Sequence, residues 1–429
     1  MSGLPIEATS WQQITPHYLL HPMIRNDRAI VALTSVGHGM VHTYELSIPI
    51  LMTLWLAEFD VSTAVLGGIV AIGYGLYGLG ALPAGILADR WGSRRLIVGC
   101  LAGMGSAFLL LSLAPGLWTI AAALILWGLA ASLYHPAGLT LISRGVVQRG
   151  KGLALHGMAG NIGIAMGPLC TALLLLVVDW RVVAGVLAIP ALIATGYAAQ
   201  ASFDETAADA AASAQDRSPD SFHTLWTTTR VLFASGFALV FLIVMMSGLY
   251  YRGVLTFLPD LLERFVTIDL GLAVEPGRYV YAALLMVGMM GQYIGGWLTD
   301  HVRTERGILG AFVLLTIIGI AFWPLAQAGA ISLFIISGVL GIALFMIQPL
   351  YQATVAEYTP PAARGLSYGF TYLGVFGVGA LGAALAGSLL NWFTPLVLFL
   401  VLAIVAALGA LLSAYLAWRP RRTMTDSSS

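Results

Sequence analysis

The chain contains 429 residues, of which 59% are hydrophobic and only 9% are Asp, Glu, Lys or Arg, against about 25% charged residues in an ordinary soluble protein. Its mean hydropathy is +0.88, which implies more apolar surface than soluble cores of this length could hide from water. These values exclude a soluble enzyme and indicate lipid as the solvent. Twenty basic and twenty acidic residues cancel, so the chain lacks the basic excess that attracts nucleic acid. The two cysteines, Cys100 and Cys170, form no disulfide or metal-binding spacing, and no cofactor is expected.

Twelve apolar stretches, each long enough for a membrane-spanning helix, follow one another along the chain. They lie at about 29–56, 65–88, 96–114, 117–142, 153–178, 182–201, 231–258, 279–298, 307–325, 330–355, 366–390 and 396–418. A polar segment rich in Ala, Ser and Asp separates the sixth from the seventh stretch and predicts a flexible linker. The predicted organisation is a segment 1–28, a six-helix unit 29–201, a linker 202–230, a second six-helix unit 231–418 and a tail 419–429.

The basic residues predict the orientation in the membrane. Sixteen of the twenty fall on the side that holds both termini and the linker, and the positive-inside rule makes that side the cytoplasm. We therefore expect a multi-pass protein of the cell (inner) membrane with both termini in the cytoplasm. Nothing in the sequence requires more than a monomer.

The two predicted six-helix units carry matching residues at nearly one offset. Asp300 follows Asp89 by 211 residues, and Pro349 follows Pro136 by 213. This repeat predicts an all-α polytopic membrane protein whose twelve transmembrane helices form two pseudo-symmetric six-helix bundles. Two such halves normally hold the substrate between them, near the middle of the bilayer.

A motif between the second and third spans resembles the signature loop of the major facilitator superfamily. It reads GILADRWGSRR over residues 85–95, and a degenerate copy follows the eighth span. The residues that carry the resemblance are Gly85, Asp89, Arg90, Gly92, Arg94 and Arg95, with Asp300 in the copy. The resemblance implies a secondary transporter that works by alternating access and uses this loop as a cytoplasmic gate. We also expect Gly85 to allow close helix approach and Asp89 to face the arginine cluster or a helix end.

Span five contains HGMAGNIGIAMGP over residues 156–168, which resembles an element of proton-coupled exporters in the same superfamily. Gly163, Gly167 and Pro168 carry this second resemblance. Small residues at this spacing also form ordinary helix-packing faces, so both interpretations stay open. Tyr134-His135-Pro136 in span four resembles the fosmidomycin-resistance branch, although His42 stands where that branch has an acid.

Ionisable residues at membrane depth are costly and usually face a transport path. In span one, His38, His42 and Glu45 occupy positions i, i+4 and i+7, which share one helical face. Imidazole ordinarily titrates near pH 6.5, so this face is suited to proton coupling. We expect Glu45 to carry the proton, with His42 as its neighbour and His38 as a relay. His135, His156 and Arg252 complete the candidate set.

Arg252 follows His42 by 210 residues, as Pro259 follows Pro49. This repeat-equivalent position suggests that Arg252 pairs with Glu45 across the cavity or holds an anionic substrate. Glu45 and Arg252 could instead lie nearer the outer leaflet and act as gate residues. His135 could satisfy backbone groups freed by the adjacent proline, and His156 could form an interhelical hydrogen bond.

Polar and aromatic residues near this face are candidates for lining the cavity, because a ring with a polar tip suits an amphipathic solute. The candidates are Tyr44, Tyr134, Tyr251, Asn161 and Gln348.

The leading interpretation is a proton-coupled antiporter that exports a small organic molecule, with that molecule, protons and the bilayer as its partners. No nucleotide-binding loop of the form GxxxxGK[ST] occurs, so ATP drive is not indicated. One alternative is transport of a transition-metal ion or chelate on His38, His42 and Glu45, since imidazole and carboxylate are suitable ligands. The others are a polytopic membrane enzyme, because HxxxH also occurs in such enzymes, and a receptor or scaffold that transports nothing.

Overall fold

The computed structural model describes residues 22–208, 222–265, 275–360 and 363–419. Within these residues, seventeen α-helices and one π-helical segment are present, and no strand. The helices of the first half are α1 Arg25–Glu58, α2 Thr63–Leu79, α3 Ala81–Trp91, α4 Ser93–Ser112, α5 Leu117–Ala131, α6 Tyr134–Gly145, α7 Arg149–Leu174 and α8 Trp180–Gln200. Those that follow are α9 Phe222–Phe233, α10 Phe237–Leu255, α11 Leu258–Glu263, α12 Pro276–His301, α13 Thr304–Gln327, α14 Ala330–Glu357, α15 Arg364–Tyr372, the π segment Leu373–Val378, α16 Leu381–Trp392 and α17 Pro395–Trp418.

Each of the twelve predicted spans corresponds to one of these helices or to a consecutive set of them. In the described part of the chain, nine spans are long and apolar enough to cross a membrane, or ten when the bent pair α2 and α3 counts as one. The other two are α1, with 34 residues, and α12, with 26, both longer than the roughly 20 residues that a bilayer requires. The polypeptide is an all-α, multi-pass membrane protein.

Local sequence explains where several helices begin and bend. The Ser62 hydroxyl accepts a hydrogen bond from the Val65 amide at 3.3 Å, and the Asp179 carboxylate accepts one from the Arg181 amide at 2.8 Å, so each caps the helix that follows. α2 and α3 meet at an angle of 43°. α5 ends just before Tyr134, and Pro136 lies in the first turn of α6, where its missing N–H costs little.

The two halves meet where α2 packs against α16 and the π segment and where α7 packs against α12, with smaller contacts between α1 and α11 and between α3 and α15. Thr63 donates a hydrogen bond to the Gly387 carbonyl at 2.8 Å, and Tyr279 donates one to the Ala172 carbonyl at 3.2 Å. Within the first half, α1 lies against α7 and α6. One face of α1 is therefore surrounded by helices from both halves.

Parts of the predicted organisation fall outside the described residues. These are 1–21 of the N-terminal segment, 209–221 of the linker, 266–274 and 361–362 of the second unit, and 420–429 of the tail. The helix α9 begins at Phe222, inside the predicted linker.

Candidate functional site: a buried network of histidine, glutamate and arginine

The face of α1 that carries His38, His42 and Glu45 points into the centre of the helix bundle. Glu45 is 0% exposed and His42 is 9% exposed. Three further helices bring the other predicted residues to it: α6 carries His135, α7 carries His156 and α10 carries Arg252. The structure thus gathers all six predicted ionisable residues in one place, which we call the central network.

Glu45 and Arg252 join the two halves. The Arg252 guanidinium donates through Nη2 to Glu45 Oε1, and Arg252 is only 1% exposed. Its carbon Cζ lies 3.7 Å from the centre of the Tyr74 ring, which places the cation over an aromatic face. Among the described residues, Arg252 Nε has no hydrogen-bond partner. The guanidinium therefore has an N–H group, at Nε, that lacks a hydrogen-bond acceptor among these residues.

The second oxygen of Glu45 begins a chain of hydrogen bonds along α1. Glu45 Oε2 lies 2.7 Å from His42 Nδ1, and His42 Nε2 lies 3.1 Å from His38 Nε2. His38 Nδ1 in turn lies 2.8 Å from the His156 carbonyl oxygen. Each imidazole thus uses both ring nitrogens, and the chain runs from Arg252 in the second half to the backbone of α7 in the first.

His135 faces both the network and the second half. Its Nε2 lies 2.7 Å from the Tyr77 hydroxyl, and its ring centre is 5.2 Å from that of His38. The ring also stacks on Tyr372, with centroids 4.8 Å apart, and lies parallel to Phe376. Within the part of the chain that the structure describes, the His135 side chain is thus hydrogen-bonded to a tyrosine hydroxyl and not to a backbone group freed by the adjacent proline.

His156 and Tyr134 support the far end of the chain. The His156 ring stacks on His38 with centroids 4.1 Å apart, and its Nδ1 lies 3.3 Å from the Tyr134 hydroxyl. Tyr134 also donates to the Thr34 carbonyl. A Cβ placed on Gly160 would come within 2.4 Å of the His38 ring, so this glycine leaves the space that the ring occupies.

The glycines of the exporter-like element bring α7 against α1. A Cβ on Gly163 would lie 2.2 Å from the Gly39 carbonyl oxygen, and one on Gly167 would lie 2.6 Å from Thr43 Cα. Pro168 continues this helix. The helix-packing interpretation of these glycines thus has a direct structural basis, and the close approach sets the position of the histidine chain.

The predicted cavity residues separate into two groups. Tyr134 belongs to the network, and the Tyr251 ring centre lies 5.5 Å from Arg252 Cζ. Tyr44 instead turns away and donates to the Leu187 carbonyl of α8 at 2.8 Å. Gln348 accepts a hydrogen bond from Gln292 at 3.1 Å within the second half. No contact between Asn161 and the central network is seen within the described residues.

Sequence reasoning did not single out Tyr74, Tyr77, Tyr372 and Phe376. Tyr74 donates to the Glu45 backbone carbonyl at 2.9 Å and lies beneath Arg252. The π segment begins directly after Tyr372 and contains Phe376, and such segments are frequent at functional sites. Tyr74 and Tyr77 lie three residues apart, and this spacing in the sequence indicates that they share one face of α2.

The gate motif lies at the far end of α3, which we call the Asp89 end. Asp89 Oδ1 and Arg144 Nη2 form an ion pair of 2.9 Å, so one partner of Asp89 is an arginine at the end of α6. Gly92 has a φ of +86° at the turn into α4, a conformation that favours glycine. The expectation for Gly85 is wrong, because a Cβ there would meet only Pro136, at 4.0 Å. Three further residues of the motif and its copy are exposed: Arg90, Arg95 and Asp300.

The residues after α8 fold back onto this end. Glu205 Oε2 accepts a hydrogen bond from the Ser93 amide at 2.8 Å, and Arg94 donates to the Ala201 carbonyl. Hydrogen bonds from Thr206 lower the pKa of the Asp204 carboxyl. The start of the predicted linker is thus attached to the motif.

Two grooves on the surface lie away from the central network. One, of about 450 Å³, is lined by apolar residues of α1 and α8 together with Tyr197. The other, of about 250 Å³, lies near Asp179 and Arg278. Neither groove contains a network residue. The side chains of Arg252 and Glu45 are only 2% and 0% exposed, so this charge pair is enclosed by protein in this conformation.

A bundle of membrane-spanning helices in two halves, with an enclosed charge pair between them, defines a polytopic membrane transporter. The family model described as "Major Facilitator Superfamily" matches residues 33–382 and 280–429. The chain belongs to the Major Facilitator Superfamily, and it is a transporter and not an enzyme.

Individual relatives are more distant. The chain is 25% identical to the gentisate transporter of Corynebacterium glutamicum over 347 residues, which cover 78% of this chain and 75% of that protein. It is 24% identical to the multidrug resistance protein MdtH of Shigella boydii over 314 residues, with 72% of each chain covered. A bacterial homologue of the human lysosomal transporter Spinster, in an inward-facing and occupied conformation, has the same fold. Its TM-score is 0.70 at 14% identity, and the match covers 95% of this chain and 100% of that one.

Proposed function

We propose that this transporter couples the movement of a small organic molecule to the movement of protons. The observation that carries the proposal is the buried Glu45–Arg252 pair between the two halves. Alternating access moves the halves against each other, so this pair has to form and break in each cycle. An uncompensated buried charge costs about 3–5 kcal/mol. A proton on Glu45 discharges the carboxylate and releases it from Arg252, which then needs another counter-ion. His42 is hydrogen-bonded to Glu45 and can deliver that proton.

The surroundings of the pair support an organic substrate. Tyr74, Tyr251 and Phe376 surround the Arg252 guanidinium, and aromatic walls suit a ring-containing solute. Two relatives are named for gentisate and for multidrug resistance, both of which refer to small organic molecules. Export in exchange for protons is the mode that the sequence predicts, and the multidrug name fits it. The name of the gentisate relative does not specify a direction.

The proposal includes the predicted topology. The units 29–201 and 231–418 act as the two moving bodies, the inner membrane of the cell is the location, and both termini face the cytoplasm. A monomer contains the whole central network, since all of its contacts lie within one chain.

Transport of a transition-metal ion is the alternative, and the network is less suited to it. Ring nitrogens of His38, His42 and His135 lie within 4.8 Å of one another. However, each of these rings already contacts a protein partner, and both oxygens of Glu45 are engaged by His42 and Arg252. Metal transport predicts a stoichiometric ion in the purified protein by elemental analysis, and a melting temperature that Fe, Mn or Zn raises. The absence of both would exclude it.

The experiment is solute accumulation in proteoliposomes with and without an imposed pH gradient, with radiolabelled gentisate and ethidium as probes. We expect the gradient to change the accumulation of one of them. We expect Glu45→Gln to abolish that dependence, because an amide cannot be ionised and pair with Arg252.

Glu58→Gln is the matched control. Glu58 lies on the same helix but binds Arg181 and Trp180 at the opposite end from Asp89, so the gradient dependence should persist. If Glu45→Gln retains the full gradient dependence, the role proposed for Glu45 is wrong. If the wild-type protein accumulates neither probe in response to the gradient, proton coupling itself fails.

A further inference from the structure

The hydrogen bonds between Glu45 and the His156 carbonyl require more protons than two neutral imidazoles supply. The chain contains three contacts: Glu45 to His42, His42 to His38, and His38 to the carbonyl. Each needs one proton, and both ends accept, because a carbonyl and an ionised carboxylate have no proton to donate. A neutral imidazole carries one N–H. Two of them therefore leave one contact without a proton, and the complete chain holds a third.

The third proton has two positions that preserve every hydrogen bond. In the first, the histidine pair is positively charged and Glu45 is ionised. In the second, the N–H bond at His42 Nδ1 breaks and its electron pair stays on nitrogen, while an O–H bond forms at Glu45 Oε2. Glu45 then donates to His42, His42 donates to His38, and both rings are neutral. The shift changes no proton count, but it discharges Glu45.

This shift leaves Arg252 as a buried charge without a counter-ion. A guanidinium cannot lose its proton in a protein, so of the two partners only Glu45 can be neutralised. A carboxylate that binds an arginine side-on uses two parallel N–H groups. In this conformation Nη2 is held by Glu45 and Nε has no partner among the described residues.

From these observations we infer that the site takes an organic monoanion, whose oxygens bind Arg252 in place of Glu45 while the chain from Glu45 to His38 holds the third proton. The inference rests on the proposed proton coupling and adds the substrate class. With the third proton present, the network carries one net positive charge in either position of that proton. One negative charge compensates it, which is why the anion carries a single charge.

A cationic substrate is disfavoured for the same reason. It would need an ionised carboxylate, and both oxygens of Glu45 are in use. The other buried acids among the described residues are Asp27 and Glu305. Asp27 accepts hydrogen bonds from the amides of Val147 and Gln148 at the Asp89 end, and Glu305 lies in the first turn of α13 at that same end.

The third proton and the anion are bound in the same state of the protein, since this proton creates the positive charge that the anion compensates. Binding together is the linkage of a symporter, whereas an antiporter requires competition, so the inference departs from the antiport that the sequence predicts. Titratable groups from every helix packed against the histidine pair contribute to its proton affinity. They are Glu45 on α1, Tyr77 on α2, Tyr134 and His135 on α6, His156 on α7, Arg252 on α10 and Tyr372 on α15.

The test compares single-ring ligands in three charge states. Benzoate and gentisate are the monoanions, benzamide is the neutral analogue and benzylamine is the cation. Thermal unfolding of the purified protein in detergent reports binding, because a ligand of the folded state raises the melting temperature. We expect the two anions to raise it by about 3 °C or more at saturation, and benzamide and benzylamine to leave it unchanged. Infrared difference spectra should show the carbonyl stretch of a protonated carboxylic acid when an anion binds, and Glu45→Gln should lack it.

Variants separate the anion site from general stability. Arg252→Gln should lose the anion response, and Arg252→Lys should weaken it, because lysine keeps the charge but lacks the planar fork. Arg278→Gln is the matched control. Arg278 is also buried, but it contacts Thr53 at the end of the bundle opposite the Asp89 end. If Arg252→Gln does not fold, the infrared signal in the wild-type protein still decides the question.

Two results overturn the inference: benzylamine raises the melting temperature while both anions do not, or the anions bind without the protonated-acid signal. Failure of the proposed function looks different. In that case anions bind at Arg252, but an imposed pH gradient drives no solute in proteoliposomes. If a pH gradient drives ethidium flux and no anion binds, the proposed proton coupling stands and the inference of an anionic substrate is wrong.

Discussion

The Glu45–Arg252 and Asp89–Arg144 pairs are both contacts between a carboxylate and a guanidinium on different helices, but they lie in different surroundings. The side chains of the first pair are 0% and 2% exposed, whereas those of Asp89 and Arg144 are 24% and 32% exposed. A partly exposed pair contributes about 0–1 kcal/mol and weakens with salt. Removing one partner of a buried pair costs about 3–5 kcal/mol. The same chemistry is therefore a small stabilising contact at the Asp89 end and a strong constraint in the centre.

The comparison also separates how each pair can be broken. The Asp89–Arg144 pair is partly exposed, so water can replace its contact when the helices move. The central pair is enclosed by protein, and of its two partners only Glu45 can be discharged by a proton, after which Arg252 needs another counter-ion. This difference is the physical reason to place proton coupling in the centre and gating at the Asp89 end.

The largest expected effect comes from breaking the central pair. Glu45→Gln leaves Arg252 charged and without a counter-ion, and we expect the free energy of unfolding to fall by about 3–5 kcal/mol. Unfolding by denaturant in detergent measures it. The double variant Glu45→Gln with Arg252→Gln removes both charges and should recover most of the loss. Equal stabilities for the single and the double variant would show that the pair is not a constraint.

An intermediate effect is expected where α7 meets α1. The Cβ of Gly163→Ala would lie 2.2 Å from the Gly39 carbonyl oxygen, so the helices have to separate, at a cost of about 1–3 kcal/mol. Because α1 carries His38 and α7 carries His156, their stacking should weaken too. Gly157→Ala on the same helix has nothing within 4 Å, and we expect it to be neutral in the same assay. A loss of equal size in both variants would contradict the packing role.

The smallest effect is expected at the Asp89 end. Asp89→Asn should change the free energy of unfolding by no more than about 1 kcal/mol, and added salt should reduce the difference. Arg144→Gln should give a change of similar size, and the two together should add little. A destabilisation as large as that of Glu45→Gln would remove the distinction between the two pairs.

Much of the fold could be predicted because lipid imposes simple rules. Uninterrupted apolar runs produced helices at all twelve predicted positions, and the i, i+4, i+7 spacing placed His38, His42 and Glu45 on one face. The repeat offset identified Arg252 as a partner for that face, since equivalent positions in the two halves meet near the centre. Periodicity within one helix and symmetry between the halves were sufficient for these inferences.

Other parts depend on how helices rotate against one another, which a single sequence does not specify. Tyr44 lies one residue from Glu45, yet it binds the backbone of α8 and not the network. The Tyr372 ring that contacts His135 comes directly before the π segment, and this segment carries no local signal that distinguishes it from an ordinary span. Gly85 matches the family motif, but a Cβ there would meet only Pro136, at 4.0 Å, because the close helix contacts of this bundle occur at other glycines.

The most direct test measures proton movement itself. Proteoliposomes that contain the pH-sensitive dye pyranine are given gentisate, and then ethidium, without any imposed gradient. We predict that one solute changes the internal pH in liposomes with the wild-type protein and with Glu58→Gln, and that Glu45→Gln abolishes the change. Solute entry that moves no protons in the wild type, or equal proton movement in Glu45→Gln, would contradict coupling through the central network.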